Sequence, residues 1–260
     1  MPTTSDSNGA EPATDLAVRC EGVGKSYGLG EELSLQHTLS SIVRRDHQLE
    51  RFWALTDVSF EVHRGEAFGI VGANGSGKST LTQLISGIAM QDTGKIEVWG
   101  RLIPLLEVGA GFHPELTGRE NVALLGTILG LSAAAIRGEM GRIAEFAGVE
   151  RHLDTAIKRY SIGMQARLSF ATAVCFPADT YVFDEVLAVV DDSFRDQCAE
   201  ELARQNSEGR TIIFMSHDLE LVRSVCSTGM WLDKGRVRLR GGIDEVAAAY
   251  ERAPTAGAPR

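Results

Sequence analysis

The stretch Gly72-Ala73-Asn74-Gly75-Ser76-Gly77-Lys78-Ser79-Thr80 constrains this chain more than any other. The apolar run Ala67-Phe68-Gly69-Ile70-Val71 before it reads as a buried strand, and Leu81-Thr82-Gln83-Leu84-Ile85 after it reads as a helix. A strand that turns through a glycine-rich loop into a helix N-terminus aims consecutive backbone N–H groups at one point, where the helix dipole also favours negative charge. Such a loop holds phosphates. Gly72 and Gly77 permit the tight turn, Lys78 reaches the β- and γ-phosphates, and the Ser79 hydroxyl can ligate Mg²⁺. A fold of the α/β class follows.

With 260 residues, 43% of them hydrophobic, the chain can bury a sizeable core in one large α/β domain with room for an inserted subdomain. Its net charge of −9 argues against a nucleic-acid partner but leaves a local phosphate cradle unaffected. The four cysteines, Cys20, Cys175, Cys198 and Cys226, are far apart and have no histidine at metal-ligand spacing. They read as thiols of a reducing compartment, in neither a disulfide nor a metal site. The first residues are polar and acidic where a signal peptide needs an apolar run, and no apolar stretch is long enough to span a bilayer. The expectation is a soluble chain on the cytoplasmic side, reaching a membrane only through a partner.

Taken in order, residues 1–16 have the composition of a disordered leader. A first strand is expected over 16–20, with Gly22-Val23-Gly24-Lys25-Ser26-Tyr27 after it. A long polar connection over 28–52, containing Arg44-Arg45 and a short amphipathic helix, leads to a half-buried strand over 54–62. Beyond the phosphate loop come a turn over 91–94 and strands over 95–100 and 102–106. Thr117 followed by Glu120 is a capping box, and Ser132 caps the next helix. Together with the helix after Ser161, these form an all-helical insertion over 113–178. It divides an α/β core made of 17–112 and 179–250. Strands resume over 180–184 and 210–215, and a hairpin over 229–239 turns at Asp233-Lys234-Gly235. A short helix over 243–250 precedes a tail, 251–260.

The apolar strand ending in Asp184-Glu185 places two carboxylates where ligands of open α/β sheets bind. Asp184 is suited to hold Mg²⁺ through its water shell, and Glu185 to polarise an attacking water as general base.

Tyr160-Ser161-Ile162-Gly163-Met164, shortly before that strand, resembles the signature motif of the ATP-binding-cassette (ABC) ATPases, usually Leu-Ser-Gly-Gly-Gln. The resemblance spans about 17–250. It implies a P-loop NTPase fold of the ABC nucleotide-binding type, with an inserted helical subdomain and an antiparallel β edge. It implies that two copies sandwich two molecules of ATP, each with Mg²⁺, between the phosphate loop of one copy and Ser161 and Gly163 of the other. Asp191 takes the position of the family's D-loop aspartate, and His217 that of its switch histidine. Tyr27 resembles the aromatic that stacks on adenine, with Phe52 and Trp53 as rivals. Ile162 and Met164 depart from the signature, Val190 stands where small residues are common, and the loop 107–112 lacks the usual glutamine, for which Glu107 is the nearest polar substitute and a further candidate metal ligand.

Tyr-Ser-x-Gly-Met, the loop 109–121 and Phe183-Asp184-Glu185-Val186-Leu187-Ala188-Val189 look like the ATPase subunits of bacterial polysaccharide exporters, which serve O-antigen, capsule, teichoic acid and cell-wall galactan. That branch implies two copies of a separate polytopic membrane subunit, a polyprenyl-diphosphate-linked glycan as cargo and a place on the cytoplasmic face of the membrane. An ABC ATPase of another exporter or of an importer shares the same nucleotide residues. A soluble cassette ATPase is the third possibility, although it would call for two cassettes in one chain or long coiled coils.

Overall fold

The structure, a computed structural model, describes residues 15–28, 51–105, 109, 111–185, 187 and 189–253. The expected leader up to residue 14, the connection over 29–50, Glu107 and the end of the tail lie outside the described residues.

A six-stranded sheet forms the spine, in the order β5 (Leu102–Leu105), β6 (Thr180–Asp184), β7 (Thr211–Ser216), β3 (Ala67–Val71), β8 (Thr228–Asp233) and β9 (Arg236–Gly242). Neighbours from β5 through β8 run parallel, and β9 returns antiparallel from β8. The central strands are buried on both faces, which is why they read as unbroken apolar runs. Alternation then sends their side chains into two cores. Tyr181, Phe183, Ile212 and Phe214 join one, while Phe68, Ile70, Val182, Ile213 and Met215 join the other.

The second core is roofed by α1 (Lys78–Ile85) and by a three-stranded antiparallel sheet, β2 (Arg51–His63), β1 (Leu16–Gly28) and β4 (Thr93–Val98). Here the structure extends the sequence expectation. β1 is one strand of 13 residues, not a short strand with a loop after it, and register shifts near Val23 and Lys25 let it bend without breaking. β4 likewise begins at Thr93, inside the expected turn.

The first core is covered by helices. α2 (Gly118–Ile128), α3 (Ala133–Ala147) and α4 (Ile162–Cys175) lie between β5 and β6 in the chain. α5 (Asp192–Ser207), α6 (Leu219–Val225) and α7 (Ile243–Arg252) complete that side. The capping box closes as expected, with Thr117 accepting from the Glu120 N–H and Glu120 accepting from the Thr117 N–H. All four cysteines are buried, and burial pushes the Cys20 and Cys175 thiols up to about 12.

Asn121, fully buried on α2, ties down the loop before it. Its Oδ1 accepts from the His113 N–H at 2.6 Å, and its Nδ2 donates to the carbonyls of His113, Leu116 and Thr117. Asn121→Ala removes all four hydrogen bonds and leaves the His113 N–H without its acceptor, although the three carbonyls keep backbone donors, and it is expected to cost about 2–3 kcal/mol. Thermal denaturation would show it as a Tm lower by roughly 4–12 °C, and an unchanged Tm would remove Asn121 from this role.

Candidate active site at the phosphate loop

β3 delivers the chain to Gly72, and the loop turns into α1 through Gly77, whose φ of 106° is left-handed. Lys78 is almost fully buried beneath the loop. Its Nζ donates to the carbonyls of Gly72 at 2.7 Å and Ala73 at 3.2 Å and forms an ion pair with Glu185 Oε1 at 3.0 Å. Those contacts hold the ammonium at the mouth of the loop, where a phosphate chain would meet it.

The two carboxylates at the end of β6 have opposite environments. Asp184 ends the strand and is 5% exposed, with an Oδ1 that has no hydrogen-bond partner among the described residues. Burial raises its pKa; the neighbouring Ser79 hydroxyl pulls it down, and the charge of Glu185 pushes it up again. Glu185 departs from the strand with a φ of 51°, a left-handed conformation costly for a residue with a side chain. That turn swings its carboxylate out to Lys78 and to His217 Nδ1 at 3.1 Å. Since an ionised carboxylate only accepts, this contact puts a proton on Nδ1 of His217. Burial pushes the Glu185 pKa up, but the hydrogen bonds from His217 and Lys78 outweigh it and hold the carboxyl below its ordinary range.

A buried carboxylate oxygen without a donor, next to a hydroxyl, is what a Mg²⁺ site supplying few protein ligands looks like, because that ion keeps several waters. The residues therefore fit the ion. Among the described residues no cluster of three or more His, Cys, Asp or Glu side chains offers a complete cage.

The cleft above the loop has a volume of about 510 Å³ and is lined by Asn74, Gly75, Gly77, Lys78, Ser79, Thr80 and Glu185, with Tyr27, Phe52 and Ala54 on its other wall. That size suits a nucleotide. Tyr27 and Phe52 are directly paired across β1 and β2 and are both exposed, at 42% and 55%. Trp53, next along β2, points to the opposite face and lines a separate hollow with Thr56, Asp57 and Arg236. Of the three rivals, two thus face the cleft and one does not.

Ser161, Gly163 and Asp191 do not line this cleft. Ser161 caps α4, its hydroxyl accepting from the Met164 N–H at 3.1 Å. A Cβ at Gly163 would come no nearer than 3.8 Å to the described atoms beyond its own stretch of helix, so packing among the described residues of one copy does not require glycine there. Ile162 beside it is 66% exposed. Asp191 caps α5 by accepting from the Phe194 N–H and pairs with Arg167 of α4, whose guanidinium lies over the Phe194 ring at 4.9 Å. The Arg167 hydrogen bond, then that of Phe194, hold the Asp191 carboxyl below its usual range. Sequence reasoning passed over Arg167 and did not separate Phe52 from Trp53. A charged residue one turn into a capped helix gives no sign of its tertiary partner.

Residues 55–188 match the family model described as "ABC transporter". The chain is 43% identical over 239 residues to the ABC transporter protein AbcA of Aeromonas salmonicida, covering 91% of this chain and 76% of that one. It is 38% identical over 203 residues to the O-antigen export system ATP-binding protein RfbB of Klebsiella pneumoniae, covering 78% and 82%. It is also 38% identical over 236 residues to the teichoic acids export ATP-binding protein TagH of Bacillus cereus, of whose length it spans only 42%. A dimeric, post-hydrolysis ATP-binding cassette bound to ADP and Pi superposes with a TM-score of 0.72 at 22% identity, over 87% of this chain and 98% of that one, which shows a shared fold. By family match and by identity to curated relatives, the chain belongs to the ABC transporter family, among its ATP-binding proteins.

Proposed function

We propose that this chain is the ATPase subunit of an exporter that moves a polysaccharide, carried on a polyprenyl-diphosphate lipid, outward across the cytoplasmic membrane. The observation that carries the hydrolytic part is the cluster of Lys78, Glu185 and His217 at the mouth of the phosphate loop, with the buried Asp184 carboxylate, one oxygen of which lacks a donor, below it. The export part is supported by relatives named for O-antigen and teichoic acid export.

In this proposal the loop N–H groups and Lys78 bind the phosphates, and Tyr27 or Phe52 stacks on adenine. Ser79 and Asp184 hold Mg²⁺, which when bound neutralises phosphate charge. A γ-phosphate oxygen takes the Lys78 donor now directed at Glu185. Glu185, still oriented by His217, then accepts a proton from the water that attacks phosphorus, and ADP and Pi leave. A second copy contributes Ser161 and Gly163 to the γ-phosphate, so that ATP holds the two copies together and its cleavage parts them. The roles of Asp191, at the turn into α5, and of Glu107 are assigned by resemblance alone.

Among the described residues no helix is long and apolar enough to cross a membrane, so translocation falls to a separate membrane subunit, present in two copies. Leu124 and Ile128, one turn apart on α2, together with Ile88 and Met90 after α1, are exposed apolar side chains that a cytoplasmic helix of that subunit would cover. The complex sits on the cytoplasmic face of the membrane.

The test is to purify the chain with its membrane partner, reconstitute it in lipid and measure ATP hydrolysis with polyprenyl-diphosphate glycans of different sugars. Stimulation by one glycan, lost in Lys78→Ala, is the expected result. Hydrolysis indifferent to every glycan would overturn the cargo and leave the ATPase in place.

A further inference from the structure

The β8–β9 turn, Asp233-Lys234-Gly235-Arg236, lies outside the stretch matched by the family model and lines no part of the cleft. It nonetheless touches the phosphate loop directly. The Gly235 N–H donates to the carbonyl of Ser76 at 2.9 Å, and the Gly235 carbonyl accepts from the Thr56 N–H at 2.8 Å. One residue thus spends both of its backbone groups on joining the crown of the loop to β2. β2 is the strand that carries Phe52 and Ala54 into the opposite wall of the cleft.

A second observation points the same way. A side chain at Gly235 would run into the backbone of Ala54 and Leu55. One at Gly77 would meet the Ala54 carbonyl oxygen and a Leu55 methyl at 2.8 Å, and one at Gly72 would strike the Leu232 carbonyl. These glycines mark a three-way close approach of loop, β2 and hairpin, in which no side chain fits. The turn's conformation suits it for this. Asp233 pairs with Arg236, leaving Lys234 and Gly235 as a two-residue connection with φ of 48° and 73°, both left-handed, as the tight hairpin turn of this hand requires.

We infer that Gly235 is a positioning residue that sets the distance between the phosphate loop and the base-facing strand, so that phosphates and base are gripped in register. This rests on reading the cleft as the nucleotide site. A ligand spanning both walls gains from that register, whereas a ligand that uses the loop alone does not.

Mg²⁺–ATP and Mg²⁺–tripolyphosphate, titrated calorimetrically into the full chain and its Gly235→Ala variant, separate these cases. The expected result is an ATP affinity that falls at least about tenfold more than that for tripolyphosphate. Equal losses for both ligands would reduce Gly235 to a merely structural residue, and no loss would remove it altogether. If circular dichroism shows that Gly235→Ala does not fold, hydrogen exchange of the wild-type chain decides. Exchange at the Gly235 amide should slow more with ATP than with tripolyphosphate, and equal exchange overturns the inference. Lys78→Ala is the control for the cleft, expected to lose both ligands. A wild-type chain that binds neither would sink the nucleotide site and this inference together.

Discussion

Glu185→Gln is expected to lower ATP hydrolysis by about 10²–10⁴-fold while ATP still binds. The substitution is close to isosteric, and a glutamine oxygen can still accept from Lys78 and from His217 Nδ1, the two groups that contact Glu185 Oε1. The cleft therefore keeps its shape. What disappears is the ability to take a proton from water. In the wild type burial works against ionisation, but the donors His217 and Lys78 prevail and hold the carboxyl below the ordinary glutamate range, so the base is ready throughout the neutral range. The acid limb of the kcat/KM–pH profile, which reports the free enzyme, should consequently fall below the ordinary glutamate range. The same depressed pKa contributes stability that is present above the unfolded-state pKa and is lost as pH falls through the folded one, a dependence that Gln removes. With ATP bound but uncleaved, the variant should elute from gel filtration as a dimer. Turnover near the wild-type rate would remove Glu185 from the proton transfer. Loss of ATP binding in a folded variant would instead assign it to the binding site.

The parts of this site that were legible in the sequence are those fixed by local chemistry. A strand, a glycine-rich turn and a helix start are contiguous, and so are the capping residues Thr117, Ser132 and Ser161, whose side chains accept from N–H groups three residues on. Other features depend on what meets what across the fold. Strand alternation separates Phe52 from Trp53, but the register of β2 against β1 is set on either side of a long intervening segment, which composition does not reveal. The sharp turn that divides Asp184 from Glu185 is a backbone event; the adjacent letters carry no sign of it. α5 is faint because its core contacts are few, with Phe194, Cys198, Leu202 and Gln205 buried among 16 mostly polar residues. The hairpin turn at Asp233-Lys234-Gly235 was readable as a turn, yet nothing in its letters says that Ser76 lies against it.

Asp184→Asn should move stability and function in opposite directions. The wild-type carboxylate is buried with one oxygen lacking a donor, and burial raises its pKa despite the nearby Ser79 hydroxyl. A folded-state pKa above the unfolded one means that stability falls as pH rises from the lower value through the higher. An amide carries no charge and escapes that cost. The variant is expected to gain on the order of 1 kcal/mol near neutral pH, a Tm higher by about 2–4 °C, and the gain should vanish in acid, where the wild-type carboxyl is protonated in both states. Function goes the other way, because a neutral amide is a poorer Mg²⁺ ligand. The Mg²⁺ dependence of nucleotide binding should weaken by roughly 10–100-fold, with hydrolysis falling alongside. Adding Mg²⁺ and a non-hydrolysable ATP analogue should then reverse the order of stability, since the ion stabilises only a site that holds it. Scanning calorimetry with and without Mg²⁺–nucleotide reads both effects in one series. If Asp184→Asn is the less stable protein in the absence of nucleotide, the carboxylate already has its compensation within the chain, and the case for a cation at Asp184 and Ser79 loses its support.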